Sequence, residues 1–325
     1  MKFPLLRRVL LALVAGGVLA GSLSAGERAL IDTTRSPAAK MYMVDLPDVK
    51  WTTGFWADRF EVCHTTMIPN MWRIFQDEKG SHAWANFLIA AGEEKGKFSG
   101  PPFNDGDFLK WVEALSQVYA ITHDPAIDAQ LDRIIAVVGK AQREDGYLHT
   151  QTIIPQRNGE AKVREFADRE HFETYNMGHL MTTACIHYRA TGKTTMLALA
   201  RKAADYIDHL CRTAPVELAR NAICPSHYMG VVELYRTTHE PRYLALARQL
   251  IEIRSLVPPK DGSDMNQDRM PFRQMTEAVG HAVRANYLYA GVADVYAEDG
   301  DASLLKTIET LSDNVAGEKL YITGM

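Results

Sequence analysis

The chain has little of what would give a quick assignment. Its four cysteines (Cys63, Cys185, Cys211 and Cys224) include no Cys-x-x-Cys pair, so neither a dense disulfide framework nor a thiolate zinc knuckle is written into it. Two disulfides in any of three pairings stay open. Cys224 and His227 stand three apart, but one thiol and one imidazole are too few to hold a metal. Positive charge is not in excess: 36 basic residues face 40 acidic ones, and no Lys/Arg cluster forms, so nothing draws the chain to nucleic acid or anionic lipid. Gly-x-Ser-x-Gly, His-Glu-x-x-His and Gly-rich phosphate loops are missing, which leaves serine-hydrolase, zincin and nucleotide-dependent chemistries without an anchor. Strand-like alternation is scarce as well.

Long apolar runs are confined to one. Lys2, Arg7 and Arg8 precede the run Val9 to Ala20, and Ser22, Ser24, Ala25 and Gly26 follow it. That order predicts a secretory signal peptide over residues 1–25. The run spans roughly 18 Å at about 1.5 Å per residue, short of a hydrocarbon core of about 30 Å, so a membrane anchor is disfavoured. Export to periplasm or medium is expected, with residues 26–325 forming the mature part.

What the chain does have is helical periodicity. Phe108, Trp111, Val112, Leu115, Val118 and Tyr119 recur at spacings of three and four, as do Ile127, Leu131, Ile134, Ile135 and Val138. Four such segments end in similar words: Tyr119-Ala-Ile-Thr-His-Asp-Pro125, Tyr188-Arg-Ala-Thr-Gly-Lys193, Tyr235-Arg-Thr-Thr-His-Glu-Pro241 and Tyr296-Ala-Glu-Asp-Gly-Asp301. Each reads as an aromatic in the last turn, a short reversal and a new amphipathic helix, hence a repeated helix hairpin. Unequal intervals between repeats disfavour a short-period solenoid and favour an all-α toroid whose loops gather function at one end. A closed ring of six hairpins needs twelve helices; roughly nine or ten are legible, so the ring is expected to be incomplete toward its C-terminus.

Polar residues concentrate where loops enter helices. Asp105 and Asp107 precede Lys110 and Trp111 and either cap that helix or bind a sugar. Asp145 and Asp168 read as turn and rim residues. His171-Phe-Glu-Thr-Tyr-Asn-Met-Gly-His179 places Glu173 and Tyr175 at a first helical turn and His179 one turn further in, where they either cap and fill or face a cavity. Glu277, His281 and Arg284 fall four and three apart, on one face if the segment is helical. No carboxylate pair declares itself as a glycosidase acid and base, because their separation in space decides the mechanism.

Taken together, these segments resemble the N-terminal part of glycoside hydrolase family 127, whose characterised members are β-L-arabinofuranosidases. The resemblance is carried by Gly54-Phe-Trp56 with Arg59, Ile68-Pro69, Asn86-Phe with Ala90-Ala-Gly92, Asp105-Gly-Asp107 with Lys110-Trp111, Asp145-Gly-Tyr-Leu148, Glu173 to His179 and Thr276 to Arg284. It implies an (α/α)6 barrel. It also implies that His179 and His281 contact the arabinofuranose, with Glu173 and Asp107 beside them. A third family histidine precedes the Leu-Tyr-Arg helix; His227 is the nearest residue, one turn late, with Cys224 in the expected register. In the family the acid/base Glu, and the Glu and three cysteines that hold zinc, follow the Ile-Thr-Gly at which this chain stops. The expectation is therefore a sugar-binding wall for an arabinofuranoside-containing plant glycan, with no catalytic or metal residue of its own and no turnover by itself. The alternatives from the residues are a non-catalytic carbohydrate-binding or interaction protein, or another toroidal sugar enzyme such as an epimerase or an unsaturated-uronide hydrolase.

Overall fold

The computed structural model describes residues 30–77, 79–160 and 162–324; the expected leader lies outside them. The described residues form thirteen α-helices and no strand. An N-terminal layer holds α1 (Phe55–Val62), a π-type turn Cys63–Met67, α2 (Ile68–Gln76) and α3 (Ala83–Ala90). Four hairpins follow: α4 (Asn104–Thr122) with α5 (Pro125–Ala141), α7 (Glu173–Thr191) with α8 (Thr195–Thr213), α10 (His227–Thr238) with α11 (Pro241–Ile253), and α12 (Ala282–Asp299) with α13 (Ala302–Asn314). Two short helices, α6 (Thr150–Arg157) and α9 (Pro215–Asn221), sit in the connections. They exceed the sequence count because two turns carry too few apolar repeats to register as a period.

The hairpin signature holds at all four places. His123, Gly192, His239 and Gly300 each adopt the left-handed conformation and donate a backbone N–H to the carbonyl of Tyr119, Tyr188, Tyr235 and Tyr296, at 2.8, 2.7, 2.7 and 2.8 Å. This is the single-bond left-handed cap that ends a helix and reverses the chain. The next helix then starts on its own signal: Asp124 accepts from Ala126 N at 2.8 Å ahead of Pro125, and Asp301 accepts from Ser303 N at 2.9 Å.

Each first helix is inner and each second one outer. On α8 the buried residues are Met196, Leu197, Ala200, Ala203, Ala204, Ile207 and Cys211, a single stripe at helical spacing. On α7, by contrast, 15 of 19 residues are buried, because α4 flanks it on one side, α10 on another and α8 behind. Neighbouring inner helices pack in chain order, α4 on α7, α7 on α10 and α10 on α12. The arc is that of an (α/α) toroid, and the hairpins bring the N-terminal ends of its inner helices to one side.

Polar groups buried between inner helices find partners. Arg189 donates to Glu233 at 2.7 Å, to Thr237 at 2.9 Å and to the carbonyl of Leu30 at 2.7 Å. Arg236 donates to Glu233 at 2.7 Å, to Asp294 at 2.8 Å and to Glu298 at 2.5 Å, and Ser36 also donates to Glu298. This network stitches α7, α10 and α12 together and ties residues 30–36 beneath them.

Two local expectations need correction. The helix carrying Arg284 starts only at Ala282: Gly280 has a φ of 77°, and a Cβ there would stand 1.9 Å from the carbonyl oxygen of Asp264. Glu277, His281 and Arg284 thus share no helical face; Glu277 pairs with Lys319 at 2.8 Å and His281 occupies the N-cap position. Neither Asp105 nor Asp107 caps α4, whose N-cap position is held by Phe103. Asp105 instead accepts from Thr150 N at 2.7 Å and Thr150 Oγ1 at 2.6 Å, fastening α6 to α4.

The cysteines carry free thiols, Cys63 half-buried and the other three buried. No described helix is long and apolar enough to cross a membrane.

Candidate sugar-binding cavity

A cavity of about 360 Å³ opens inside the arc, lined by Lys110, Glu113 and Gln117 of α4, His179 and Thr182 of α7 and Tyr287 of α12, with Leu30, Ile31 and Met43 beneath. Helical spacing explains the α4 wall: 110, 113 and 117 make one polar stripe on an otherwise apolar helix.

Around Lys110, on the cavity wall, three groups form a triangle. Lys110 Nζ donates to Tyr175 Oη at 2.7 Å, Tyr175 Oη donates to Asp107 Oδ1 at 3.0 Å, and Lys110 pairs with Asp107 at 2.8 Å. Lys110 and Asp107 keep about two-fifths of their side-chain surface in solvent, at 40% and 39%. Tyr175 reaches this position because Gly106 leaves room; a Cβ at 106 would lie 2.5 Å from the Tyr175 ring.

His179 stands one turn deeper. Its ring meets those of Tyr175 and Tyr287 edge to face, with centroids 4.5 and 5.5 Å away. It is 4% exposed, and its Nε2 has no hydrogen-bond partner. Burial, and then the Lys110 ammonium, depress its pKa to about 3, so the imidazole is neutral at ordinary pH. A neutral imidazole offers one donor and one acceptor; the residue lines the cavity, and its Nε2 has no protein partner.

Deeper still, Glu113 is pushed up to about 7 by burial, with the facing Glu233 adding to the rise and Thr182 opposing it. Asp294 is raised to about 6, again by burial, while the nearby Arg236 pulls the other way. The cavity thus passes from a charged mouth, through a neutral imidazole, to weakly acidic carboxyl groups. It can bind and orient a polyhydroxylated ring.

The other expected contacts are placed differently. Glu173 is 1% exposed; it accepts from Phe166 N–H at 2.9 and 3.0 Å and from the Tyr147 hydroxyl, so its oxygens are committed to pinning residue 166. Burial raises Glu173 to about 7. His227 is 0% exposed, lies against Tyr228 at 4.3 Å between ring centroids, and does not line the cavity. Burial and the Arg254 cation lower it to about 3. His281 is exposed at the start of α12, off the cavity wall. Asp145 and Asp168 hold turns, accepting from Tyr147 N at 3.1 Å and Glu170 N at 2.9 Å. Of the residues brought forward from the sequence, His179 lines the cavity and Asp107 stands beside it, paired with Lys110; Lys110, Glu113 and Tyr287 also line it and were not brought forward, the polar stripe on α4 being the signal for the first two.

The zinc that the family resemblance implies for the full-length enzyme finds no ligand set among the described residues. Among the described residues no three His, Cys, Asp or Glu side chains are grouped so as to hold a metal ion, so no step is derived through one.

Comparison with known proteins places this cavity in context. The family model for the GH127 catalytic domain of β-L-arabinofuranosidase matches residues 48–325. A non-reducing end β-L-arabinofuranosidase of Bifidobacterium longum subsp. longum is 30% identical over 312 residues, which cover 85% of this chain and 47% of that protein. A GH127 β-L-arabinofuranosidase structure from Geobacillus stearothermophilus T6 superposes with a TM-score of 0.75 at 32% identity, over 85% of this chain and 46% of its own. A structure described as a glycoside hydrolase gives 0.72 at 45% identity, over 91% of this chain and 41% of its own. The chain spans about half the length of the relatives it matches.

Proposed function

The chain belongs to the GH127 β-L-arabinofuranosidase family, and we propose that it forms the sugar-binding wall of a glycoside hydrolase acting on β-linked L-arabinofuranosides of plant-derived glycans. The terminal sugar enters the cavity between α4, α7 and α12. His179 Nε2 meets one hydroxyl, while Lys110, Tyr175 and Asp107 meet others at the mouth. Glu173 acts at one remove, by holding residue 166 and so the segment leading into α7. Export by the N-terminal leader belongs to the same proposal, because a glycan of that kind is met outside the cell.

The observation that carries the reading is the unpartnered, buried Nε2 of His179 beside a mouth rich in donors and acceptors. Burying an imidazole nitrogen without a partner costs stability, and a ligand hydroxyl recovers the missing bond. NMR titration of the labelled chain with methyl β-L-arabinofuranoside tests it. Saturating shifts at His179 and Tyr287, weaker with methyl β-D-xylopyranoside, are expected; a flat response to the arabinofuranoside contradicts the proposal.

A further inference from the structure

The cavity described above continues outward along aromatic rings. Tyr175 meets Phe172 edge to face at 5.8 Å between centroids, and Phe172 meets Phe103 in the same manner at 5.5 Å. With His179 and Tyr287 inside, these rings form one unbroken path from the buried imidazole to the surface. Phe103 is 37% exposed and Phe172 partly so. Arg284 lies over the Phe172 ring, its guanidinium 5.3 Å from the centroid, and reaches Glu170 only at 3.5 Å.

The two phenylalanines occupy positions where helix formation alone favours other residues. Phe103 holds the N-cap position of α4 and Phe172 that of α7, and neither helix has a side-chain capping bond. Ser, Thr, Asp and Asn are the residues usually found at such positions. Phe172 is, in addition, in the left-handed region with a φ of 59°, a conformation uncommon for an aromatic residue. Local stability is given up at two adjacent helix starts, and what stands there in both cases is a partly exposed aromatic ring continuous with the cavity.

Resting on the sugar-binding reading of that cavity, we propose that Phe103 and Phe172 form an outer subsite for the second saccharide ring of a glycan whose terminal sugar is held by His179. A furanose or pyranose ring presents weakly positive C–H groups to the negative face of an aromatic ring and covers apolar area while its hydroxyls stay wet. The Arg284 guanidinium adjoins the platform as a hydrogen-bond donor to those hydroxyls.

Calorimetric titration with a one-ring ligand, methyl β-L-arabinofuranoside, and a two-ring ligand, its β-linked arabinofuranosyl disaccharide, tests the subsite. The unmodified chain is expected to bind the disaccharide more tightly. Phe103→Ala and Phe172→Ala should each weaken the disaccharide about five- to tenfold, as expected for loss of a stacking surface, and change the monosaccharide by less than about twofold. Phe172→Tyr, which keeps the ring, should retain disaccharide binding. If Phe172→Ala lowers the melting temperature sharply, Phe103→Ala, already at the surface, decides the matter. Equal losses for both ligands, or none for the disaccharide, overturn the outer subsite alone. Failure of the unmodified chain to bind either ligand overturns the cavity reading, and the subsite with it.

Discussion

Lys110 and Tyr175 meet across the α4–α7 interface, ammonium to phenol oxygen at 2.7 Å, and that one bond sets the mouth of the cavity. The phenol passes its own proton toward Asp107, so a single oxygen organises a cation and an anion. Tyr175→Phe should leave the ring packed on His179 while freeing Lys110 and Asp107 to move. A stability loss of about 0.5–1.5 kcal/mol in urea denaturation is expected, together with weaker arabinofuranoside binding. Unchanged affinity would remove Tyr175 from the sugar contacts.

Gly106 supports the same arrangement by its lack of a side chain. A Cβ would lie 2.5 Å from the Tyr175 ring and 2.9 Å from Asn176 Oδ1, the oxygen that accepts from Gly106 N at 2.7 Å. Gly106→Ala should destabilise by about 1–3 kcal/mol through overpacking, despite the better helix propensity of alanine. A stabilised variant would show that α4 and α7 can part without cost.

Much of this architecture was legible in the sequence, and the reason is local. The endings at Tyr119, Tyr188, Tyr235 and Tyr296 are decided within five residues by a left-handed cap, so the hairpins could be read directly. The helical setting of His179, one turn in from a loop, was legible for the same local reason. Glu277 to Arg284 misled, because a helical spacing of four and three says nothing of Gly280, whose left-handed φ and contact with Asp264 break the helix there. The burial of Glu173 and His227 was not legible. Each opens a helix and turns into the core, and that direction depends on which neighbours pack around the helix.

Arg236 faces Glu233, Asp294 and Glu298 with only 2% of its side chain exposed. Removing it takes the guanidinium from Asp294 and Glu298 and leaves Glu233 with Arg189 alone. Arg236→Met should cost about 3–5 kcal/mol at neutral pH, with part recovered near pH 5 as the orphaned carboxyls take up protons. Thermal melts at the two pH values check this; equal losses at both would show that the carboxylates find other partners.

Glu113 gives a pH dependence of defined sign. Its folded pKa, about 7, stands above the unfolded value of 4.5, so the folded state holds the extra proton between those values. Its stabilising contribution is full below pH 4.5 and is lost as pH rises through 7. Glu113→Gln, which cannot ionise, should therefore gain on the unmodified chain as pH goes from 5 to 8. The buried histidines act oppositely: His149, His179 and His227, each lowered to about 3 from 6.5 mainly by burial, favour the folded state above pH 6.5 and lose that contribution as pH falls toward 3. Comparing melting temperatures of Glu113→Gln and the parent at pH 5, 6.5 and 8 isolates the carboxyl; a difference that stays constant would contradict its raised pKa.

The most direct test of the central claim is calorimetric titration of methyl β-L-arabinofuranoside into the chain and into its His179→Ala variant. If Nε2 of His179 is the buried partner of a sugar hydroxyl, the variant binds at least about tenfold more weakly, the equivalent of one lost hydrogen bond of about 1.4 kcal/mol, with its fold intact by circular dichroism. Equal affinity for the two proteins would contradict the account.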